Sequence, residues 1–351
     1  MSGSETEDTL RLTVLGQALI QHDLRADPWP DLSVLAAMFA RADVCFTDLE
    51  TAIRGPQAEV PTRQGVFLHA ADPVVLDCLK ELSIALVATA NNHAWDLGTG
   101  GIIGTLAALD ARGFAHAGTG VSLAAAAAPA YRRTANGTVA LVAMASAAIR
   151  DGAAATVTRA GVNELHRDAE GALDAVDTGR IFAAIAEAAM QADVVLAYHH
   201  NHILEQSGRA TPLWQRAFAR QCIDTGASLY LSHGTPRLHG IEFYRGKPIF
   251  YDLGNLIFQT ATEEGFYDDA VWQSVVAECR FAGGHFQDMT LTPLQLSPRG
   301  ITGASDLATR GRPSIVRGVA ANAILNRLAE LSRPFGTALE RADGTAVIRI
   351  A

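Results

Sequence analysis

Residues 84–113 read IALVATANNHAWDLGTGGIIGTLAALDARG, and this stretch decides the fold class. The apolar run Ile84–Thr89 predicts a buried strand. A polar segment follows it, and the small and apolar residues of Gly101–Ala111 then predict a helix that ends at Gly113. A strand that leads through a polar turn into a helix is the building unit of α/β folds.

The same alternation extends outward in both directions from this stretch. The predicted strands are Leu12–Ile20, Val44–Thr47, Val139–Ala145, Val194–Tyr198 and Ser228–Leu231. The predicted helices are Leu32–Ala42, Pro73–Leu82, Ile181–Gln191 and Leu213–Thr225, with Asp72 as the N-cap ahead of Pro73. The pattern predicts a sheet with helices packed on its faces.

The last third of the chain changes character. Two hairpins are predicted, one around Arg245-Gly246 and one around residues 282–284. A helix over Val316–Leu331 and a strand over Ala346–Ile350 follow, so a second and more antiparallel sheet is expected beside the first. Residues 147–178 lack periodicity and predict a long loop or lid. We expect one domain over residues 11–351, after a disordered tail formed by residues 1–10.

Composition narrows the class of protein. The 351 residues are 49% hydrophobic and 19% charged, which is typical of a folded domain rather than a disordered chain. The net charge of -9, without a Lys/Arg cluster, argues against nucleic acid as a partner. The polar N-terminus does not resemble a secretory signal. The sequence contains no run of about 18 apolar residues, so no integral membrane segment is predicted. A cytoplasmic location is expected, and the oligomeric state is left open.

Polar side chains follow most of the predicted strands, where functional groups gather in α/β folds. They are Gln17, His22 and Asp23; Asp48 and Glu50; Asn91, Asn92, His93 and Asp96; His199, His200, Asn201 and His202; Ser232, His233 and His239; and Asp252 and Asn255. Each one alone is explained by a turn or a structural hydrogen bond. We take the five strands to lie in one sheet. The recurrence of Asp, Glu, Asn or His at the ends of all five then favours a shared site for Mn, Fe or Zn, or for acid–base chemistry.

Three motifs resemble those of one family. They are Ala90–His93 (ANNH) with Asp96 after it, Phe46–Thr51 (FTDLET), and Gly240–Phe258 (GIEFYRGKPIFYDLGNLIF). The chain resembles the CapA family, which is associated with poly-γ-glutamate capsule synthesis and is related to the calcineurin-like metallophosphatases. The resemblance implies a four-layer α/β sandwich of two mixed β-sheets flanked by α-helices.

The resemblance also implies a metal centre in which one of two positions is depleted. Gln17 stands where the family has an aspartate, and Pro236 stands where it has a histidine. The remaining position is expected to use five ligands that converge on one pocket, namely Asp48, Glu50, Asn92, His199 and His233. A neutral glutamine cannot balance a dication as a carboxylate does, and proline offers no side-chain ligand. The expected cofactor is therefore one divalent ion (Mn, Fe or Zn) or none.

The other polar residues receive roles beside the metal position. The candidate catalytic residues are His93, His200, His202 and Asp252. The candidate substrate-binding residues are Gln17, His22, Arg237, His239 and Asn255. For Asp252 two interpretations stay open: a turn former that bonds the amide of Gly254 or Asn255, or a carboxylate that orients a histidine.

The leading functional hypothesis is an enzyme that acts on a peptide or poly-γ-glutamate-type substrate. A first alternative is a metal-independent acid–base peptide epimerase, a reaction that one offshoot of the family carries out on a ribosomal peptide. A second is a metal-dependent phosphoesterase, for which the loss of two ligands predicts weak activity. A third is a non-catalytic binding or assembly protein.

Overall fold

The computed structural model describes residues 9–25, 27, 29–203 and 211–349. The strands are β1 Thr9–Val14, β2 Gln17–Leu19, β3 Val44–Asp48, β4 Ala52–Ile53, β5 Ala70–Ala71, β6 Leu86–Ala88, β7 Ala115–Ala117, β8 Thr119–Gly120, β9 Ala130–Thr134, β10 Gly137–Ser146, β11 Gly161–Val162, β12 Val194–Asn201, β13 Leu229–His233, β14 Ile241–Tyr244, β15 Lys247–Phe250, β16 Asn255–Phe258, β17 Gln273–Ala282, β18 His285–Leu296, β19 Pro313–Ile315, β20 Glu340–Ala342 and β21 Thr345–Arg349. The helices are α1 Leu32–Phe39, α2 Val75–Glu81, α3 Gly98–Asp110, α4 Leu123–Ala127, α5 Ala175–Gln191, α6 Leu213–Thr225 and α7 Gly318–Ser332. Short 3-10 helices span Gly65–Phe67, Asp269–Trp272 and Arg333–Phe335.

Two large mixed sheets organise the chain. In the first sheet the strand order is β20-β21-β18-β17-β1-β3-β6-β7, with β19 paired to β18. In the second sheet the order is β14-β15-β13-β12-β10-β9. Each sheet contains a run of parallel strands. In the first sheet β1, β3, β6 and β7 form the half that ends at the edge strand β7, and in the second β10, β12, β13 and β15 form the centre.

The alternation of side chains along each strand builds four layers. Phe46 of the first sheet and Leu231 of the second belong to one core between the sheets. Cys45, the neighbour of Phe46, faces the other way and packs with residues of α1 and α2. Val195 likewise packs with α5 and α6 on the outer face of the second sheet. The four-layer α/β sandwich is therefore confirmed.

The expected separate antiparallel sheet in the last third is wrong. The hairpin β14–β15 joins the second sheet, where β15 pairs in parallel with β13. The hairpin β17–β18 joins the first sheet, where β17 pairs with β1. A hairpin leaves an open edge on each side, and its own sequence does not specify which sheet that edge will extend.

The predicted strand Leu12–Ile20 is interrupted in a way that shapes the site. The structure divides it into β1 and β2 at Leu15-Gly16. Gly16 passes close to the backbone of Gly254, since a Cβ on Gly16 would lie 2.4 Å from the carbonyl oxygen of Gly254. This close approach lets β2 leave the first sheet and pair with β16, so that Gln17 lies opposite Asn255.

Several smaller expectations also change. Helix α2 begins at Val75, and Asp72 contributes its carbonyl oxygen rather than a side-chain cap. Residues 9 and 10 belong to β1 and not to a tail, while residues 1–8 and residue 350 lie outside the described residues. The segment 147–178 is largely irregular, as expected, but contains β11 and the start of α5. Across the described ranges, no helix combines the length and apolar character needed to cross a bilayer.

Candidate metal centre and histidine cluster

The polar residues of the site come from both sheets, not from one sheet as expected. Asp48 ends β3 of the first sheet, and Asn92 follows β6 of the same sheet. His200 lies near the end of β12 and His233 ends β13, both in the second sheet. These strand ends face each other across the core, which brings the groups together.

The alternation of β12 decides which of two adjacent histidines enters the site. Tyr198 and His200 face the core between the sheets, and His200 pairs in register with His233. His199 faces the opposite way, where its Nδ1 lies 2.8 Å from the Tyr230 hydroxyl and its Nε2 lies 2.8 Å from Ser146 Oγ. The expectation that His199 joins the cluster is therefore wrong, and His200 occupies that place.

His200, His202 and Asn92 present donor atoms at the spacing of metal ligands. His200 Nε2 lies 3.1 Å from His202 Nε2 and 3.0 Å from Asn92 Oδ1. Ligand atoms bound tetrahedrally to zinc at 2.0–2.1 Å are about 3.3–3.4 Å apart. Because Nε2 of His200 carries at most one hydrogen, it cannot donate to both neighbours, whereas a cation would satisfy all three atoms.

Glu50 lies beside this group and completes a set of possible ligands. Its Oε1 is 4.0 Å from His200 Nε2 and 3.8 Å from His93 Nε2. Two triads could hold an ion, Glu50 with His200 and His202, and Glu50 with His69 and His93. His69 was not among the candidates from sequence, so the second triad is new.

Ring geometry distinguishes the two triads. The imidazoles of His69 and His93 are stacked, with centroids 3.5 Å apart and planes 18° apart. The lone pair of a ring nitrogen lies in the plane of its imidazole. An ion between these stacked rings would lie about half of the ring separation out of each plane, so neither lone pair would point at it. The rings of His200 and His202 are tilted by 50° with their Nε2 atoms facing each other. The first triad, with Asn92, is therefore the better candidate position, which we name the ion position.

His93 is instead built as one half of a His–Asp dyad. Its Nδ1 lies 2.8 Å from Asp96 Oδ2, an atom that also accepts the backbone N–H of His69 at 2.8 Å. Arg63 Nε donates to the other oxygen, Asp96 Oδ1, at 2.9 Å. Three donors around one carboxylate fix its orientation, so His93 carries its hydrogen on Nδ1 and presents the bare Nε2 toward Glu50.

Burial sets the protonation of the cluster. Burial, followed by the charge of Arg63, holds the pKa of His93 well below its usual range. Burial also lowers the pKa of His202 and of His69. Burial, then the nearby charge of Asp48, raises the pKa of Glu50 well above its usual range. Neutral imidazoles are the form that binds a metal, and a cation would offset the burial of the Glu50 carboxylate.

The Tyr198 hydroxyl connects His200 to His233. It lies 3.3 Å from the Nδ1 atom of each ring. If both Nδ1–H groups donate to it, its own hydrogen faces Asp48, with which this hydroxyl interacts. Both Nε2 atoms are then bare, one at the ion position and the other toward Asp252.

Several buried polar atoms around these groups have no hydrogen-bond partner of good geometry among the described residues. They are Gln17 Oε1, Asp48 Oδ2, Glu50 Oε2, His69 Nδ1 and His233 Nε2. Buried polar atoms are almost always satisfied, so orphans clustered in one place indicate a missing ligand. Carboxylate, amide and imidazole donors together fit Mn, Fe or Zn.

The Asp252 carboxylate lies at the far side of His233. Its Oδ1 accepts the backbone N–H of Gly254 at 2.8 Å and lies 4.0 Å from His233 Nε2. Its Oδ2 accepts a bond from Thr235 Oγ1, which also contacts His239 Nε2 at 3.1 Å. The turn contact that the sequence suggested is present, and His233 is close as well.

Two of the candidate substrate-binding residues lie away from these groups. His22 is exposed, and its backbone amide bonds Gln259. Arg237 pairs with Asp268 at 2.9 Å. Gln17 and Asn255, by contrast, are buried and bond each other, with Gln17 Nε2 3.1 Å from Asn255 Oδ1.

A cleft of about 570 Å³ opens beside the dyad. It is lined by Thr62, Arg63, Trp95, Ala148, Ile149, Arg150 and Asp151. Arg150 is exposed, and within the described ranges no carboxylate forms an ion pair with it. The cleft therefore offers an available cation in the same wall as Arg63, whose Nε bonds Asp96 of the dyad.

Comparison with known proteins agrees with this architecture. The family model described as "Bacterial capsule synthesis protein PGA_cap" matches residues 11–260. "Uncharacterized protein y4sH" of Sinorhizobium fredii is 28% identical over 440 residues, covering 98% of this chain and 94% of that protein. "Probable polyglutamine synthesis accessory protein MT0602" of Mycobacterium tuberculosis is 32% identical over 238 residues, covering 65% and 59% of the two chains.

A third relative connects the match to the motifs seen in the sequence. "PGA biosynthesis protein CapA" of Bacillus subtilis is 30% identical over 184 residues, covering 51% of this chain and 44% of its own. The family match spans β1 to β16 and contains the strand ends that supply the ion position and the dyad. The chain belongs to the PGA_cap family of bacterial capsule synthesis proteins, the CapA family.

Proposed function

We propose that the protein is a metal-dependent hydrolase of amide bonds in an anionic peptide of the poly-γ-glutamate kind. The observation that carries the proposal is the convergence of His200, His202, Asn92 and Glu50 at ligand spacing beside the His93–Asp96 dyad. The names of the relatives, which refer to polyglutamine synthesis and to PGA biosynthesis, support the substrate class.

A divalent ion at this position would supply a Lewis acid and an acidified water. The proton transfers fall to the dyad. His93 presents a neutral Nε2 toward Glu50, beside the ion position, so it can accept a proton from water and deliver it to the leaving amine nitrogen. Asp96 holds the Nδ1–H tautomer that this exchange requires, and Arg63 holds Asp96.

The cleft supports recognition of carboxylates. Arg150 is exposed at its rim, and the side chain of Arg63 is 19% exposed while its guanidinium also donates to the carbonyl oxygen of Asn92. A γ-linked glutamate chain carries one free carboxylate per residue, which would pair with such a cation. Arg150→Ala is therefore expected to raise KM and to leave kcat nearly unchanged, because it removes binding energy shared by ground state and transition state.

The test is an activity assay on poly-γ-glutamate with the protein stripped by a chelator and reloaded with Mn or Zn. New amino groups should appear only with the reloaded protein, and His202→Ala and His93→Ala should each lower the rate at least about 100-fold. His285→Ala is the matched control, since His285 is exposed in the β17–β18 hairpin, near the amino end of β1.

The same samples distinguish the alternatives. Turnover that survives removal of all metal, with exchange of Cα hydrogen for deuterium and no new amino groups, would indicate epimerisation. Rapid release of phosphate from aryl phosphates would indicate a phosphoesterase. A protein that binds the polymer and changes neither it nor these probes would be a binding or assembly protein. Each of these results would reject the amide hydrolase.

A further inference from the structure

A second group of buried polar residues lies next to the ion position, on the far side of His233. It consists of Gln17 on β2, His233 on β13 and Asp252 in the turn after β15. Asp252 Oδ1 lies 4.0 Å from His233 Nε2, and the backbone of Gly254 bonds both Gln17 and Asp252, so the three residues meet at a place that we name the pocket. All three residues are almost fully buried, with 2% of each surface exposed. The Tyr198 hydroxyl contacts both His200 and His233, so the pocket and the ion position are neighbours.

A chain of hydrogen bonds fixes the orientation of the Gln17 amide. Asn255 Nδ2 donates to the carbonyl oxygen of Val271 at 3.1 Å, so Asn255 Oδ1 must be the acceptor on its other side. Gln17 Nε2 donates to that oxygen at 3.1 Å. Gln17 Oε1 is then left as a bare acceptor, and it has no described hydrogen-bond partner.

The other walls also present acceptors. His233 Nε2 has no described hydrogen-bond partner, and it is a bare acceptor when the Nδ1–H of this ring donates to the Tyr198 hydroxyl. Asp252 Oδ1 receives a single hydrogen bond, from Gly254, and keeps a free lone pair. The three residues therefore present acceptor atoms, and together they would bind a group that donates several hydrogens.

The spacing argues against a second divalent ion in this pocket. His233 Nε2 and Asp252 Oδ1 are 4.0 Å apart. An ion with ligands at 2.0–2.2 Å would have to sit almost on the line between them, at an angle of about 145°. A donor about 2.9 Å from each atom would subtend about 90°, which is nearer to the angle between two N–H bonds.

Charge argues for a cation over water. Asp48 and Asp252 are buried, and no described Arg or Lys forms an ion pair with either of them. Water brings two hydrogens and no charge, whereas an ammonium group brings three hydrogens and balances a carboxylate. We propose that the pocket formed by Gln17, His233 and Asp252 binds a primary ammonium group.

If the proposed function holds, the ammonium group is the free amino end of the γ-glutamyl chain. Because the Tyr198 hydroxyl joins the pocket to the ion position, a chain held by its amino end would extend toward the ion, and cleavage would proceed from the amino end. This part of the inference rests on the proposed function. The ammonium pocket itself does not, because it can be tested without turnover.

The direct test titrates the protein with ammonium, potassium and tetramethylammonium chloride at constant ionic strength and follows thermal unfolding. Ammonium should raise the melting temperature saturably, by about 2 °C at tenfold excess over its Kd, while the other two cations should not. Asp252→Asn should abolish the shift, and the exposed Asp268→Asn should retain it. No saturable shift, or an equal shift with potassium or tetramethylammonium, would overturn the proposal.

A second measurement tests the amino-end assignment. The kcat/KM of γ-glutamyl peptides should fall at least 10-fold on N-acetylation, and Asp252→Asn should erase that difference. An ammonium shift without turnover of either peptide would reject the proposed hydrolase and keep the pocket. Equal kcat/KM for free and acetylated peptides would reject the amino-end assignment alone.

Discussion

Asp96→Asn is the most informative single substitution because it changes one atom and no shape. Asp96 receives the Arg63 Nε–H on Oδ1, and the His69 N–H and the His93 Nδ1–H on Oδ2. An asparagine has one acceptor oxygen, so its amide nitrogen must face at least one of these donors. Facing two donors at once is the worse choice, so the nitrogen is expected to face Arg63.

The cost follows from this count. A buried donor without an acceptor costs about 1–3 kcal/mol, and here the donor is a charged guanidinium that also loses its ion pair. We expect the free energy of unfolding to fall by about 2–4 kcal/mol. If the amide nitrogen instead turns to His93, that ring must adopt the Nε2–H tautomer, and turnover should fall by about 10⁴-fold, as it does when the triad aspartate of a serine protease is changed to asparagine.

Three readouts separate these effects. Urea denaturation gives the change in stability, and ¹⁵N NMR of the histidine rings reports the tautomer of His93. Zinc titration should show an affinity within about 10-fold of the wild type, because Asp96 lies outside the ion position. Asp110→Asn is the matched control, since Asp110 bonds His116 at the surface at 3.0 Å. Unchanged stability with an unchanged tautomer would refute the dyad.

Three further predictions test other parts of the structure. His199→Leu should lower stability by about 1–3 kcal/mol, because it removes the hydrogen-bond partner of the Tyr230 and Ser146 hydroxyls, and it should leave the zinc stoichiometry unchanged. His200→Leu should lose zinc. Loss of zinc from the His199 variant would reverse the assignment of the two histidines. Gly16→Ala should destabilise by about 3 kcal/mol or more through its contact with Gly254, whereas Gly179→Ala in α5, with nothing within 4 Å, should stabilise by roughly 0.5–1 kcal/mol in the same urea assay. Burial alone would lower the pKa of His166, but the hydrogen bond to Asp177 and the charge of Glu164 raise this pKa in the folded protein. The stabilising effect of His166 is therefore present below the unfolded-state pKa and is lost as pH rises through the folded-state pKa. The melting-temperature deficit of His166→Ala should be larger at pH 5.5 than at pH 9, and an equal deficit at both would contradict the His166–Asp177 pair.

Much of the fold could be predicted because local patterns carry it. Helix α6 was predicted with its observed bounds, since its buried side chains recur at the helical period. Val139–Ala145 of β10 and Val194–Tyr198 of β12 are continuous apolar runs, as buried parallel strands are. The assignment of the two hairpins to different sheets depends on long-range pairing, which local patterns do not encode.

The site shows where sequence reasoning stops. His199 and His200 are adjacent, and a shift of one residue moves a side chain to the opposite face of a strand. The resemblance to the family did not resolve that shift, and only the register of β12 against β13 does. His69 lies directly before the two-residue strand β5, too short to show any periodicity, and its place is set by a bond to Asp96, a residue 27 positions away.

One divalent ion is proposed to bind between Glu50, Asn92, His200 and His202. The most direct measurement is zinc titration of the chelator-treated protein, combined with X-ray absorption at the zinc edge. The structure predicts one equivalent of zinc with two imidazole ligands, and one imidazole with much weaker binding in His202→Ala. Absence of zinc binding, or a spectrum and affinity that His202→Ala leaves unchanged, would exclude this ion position.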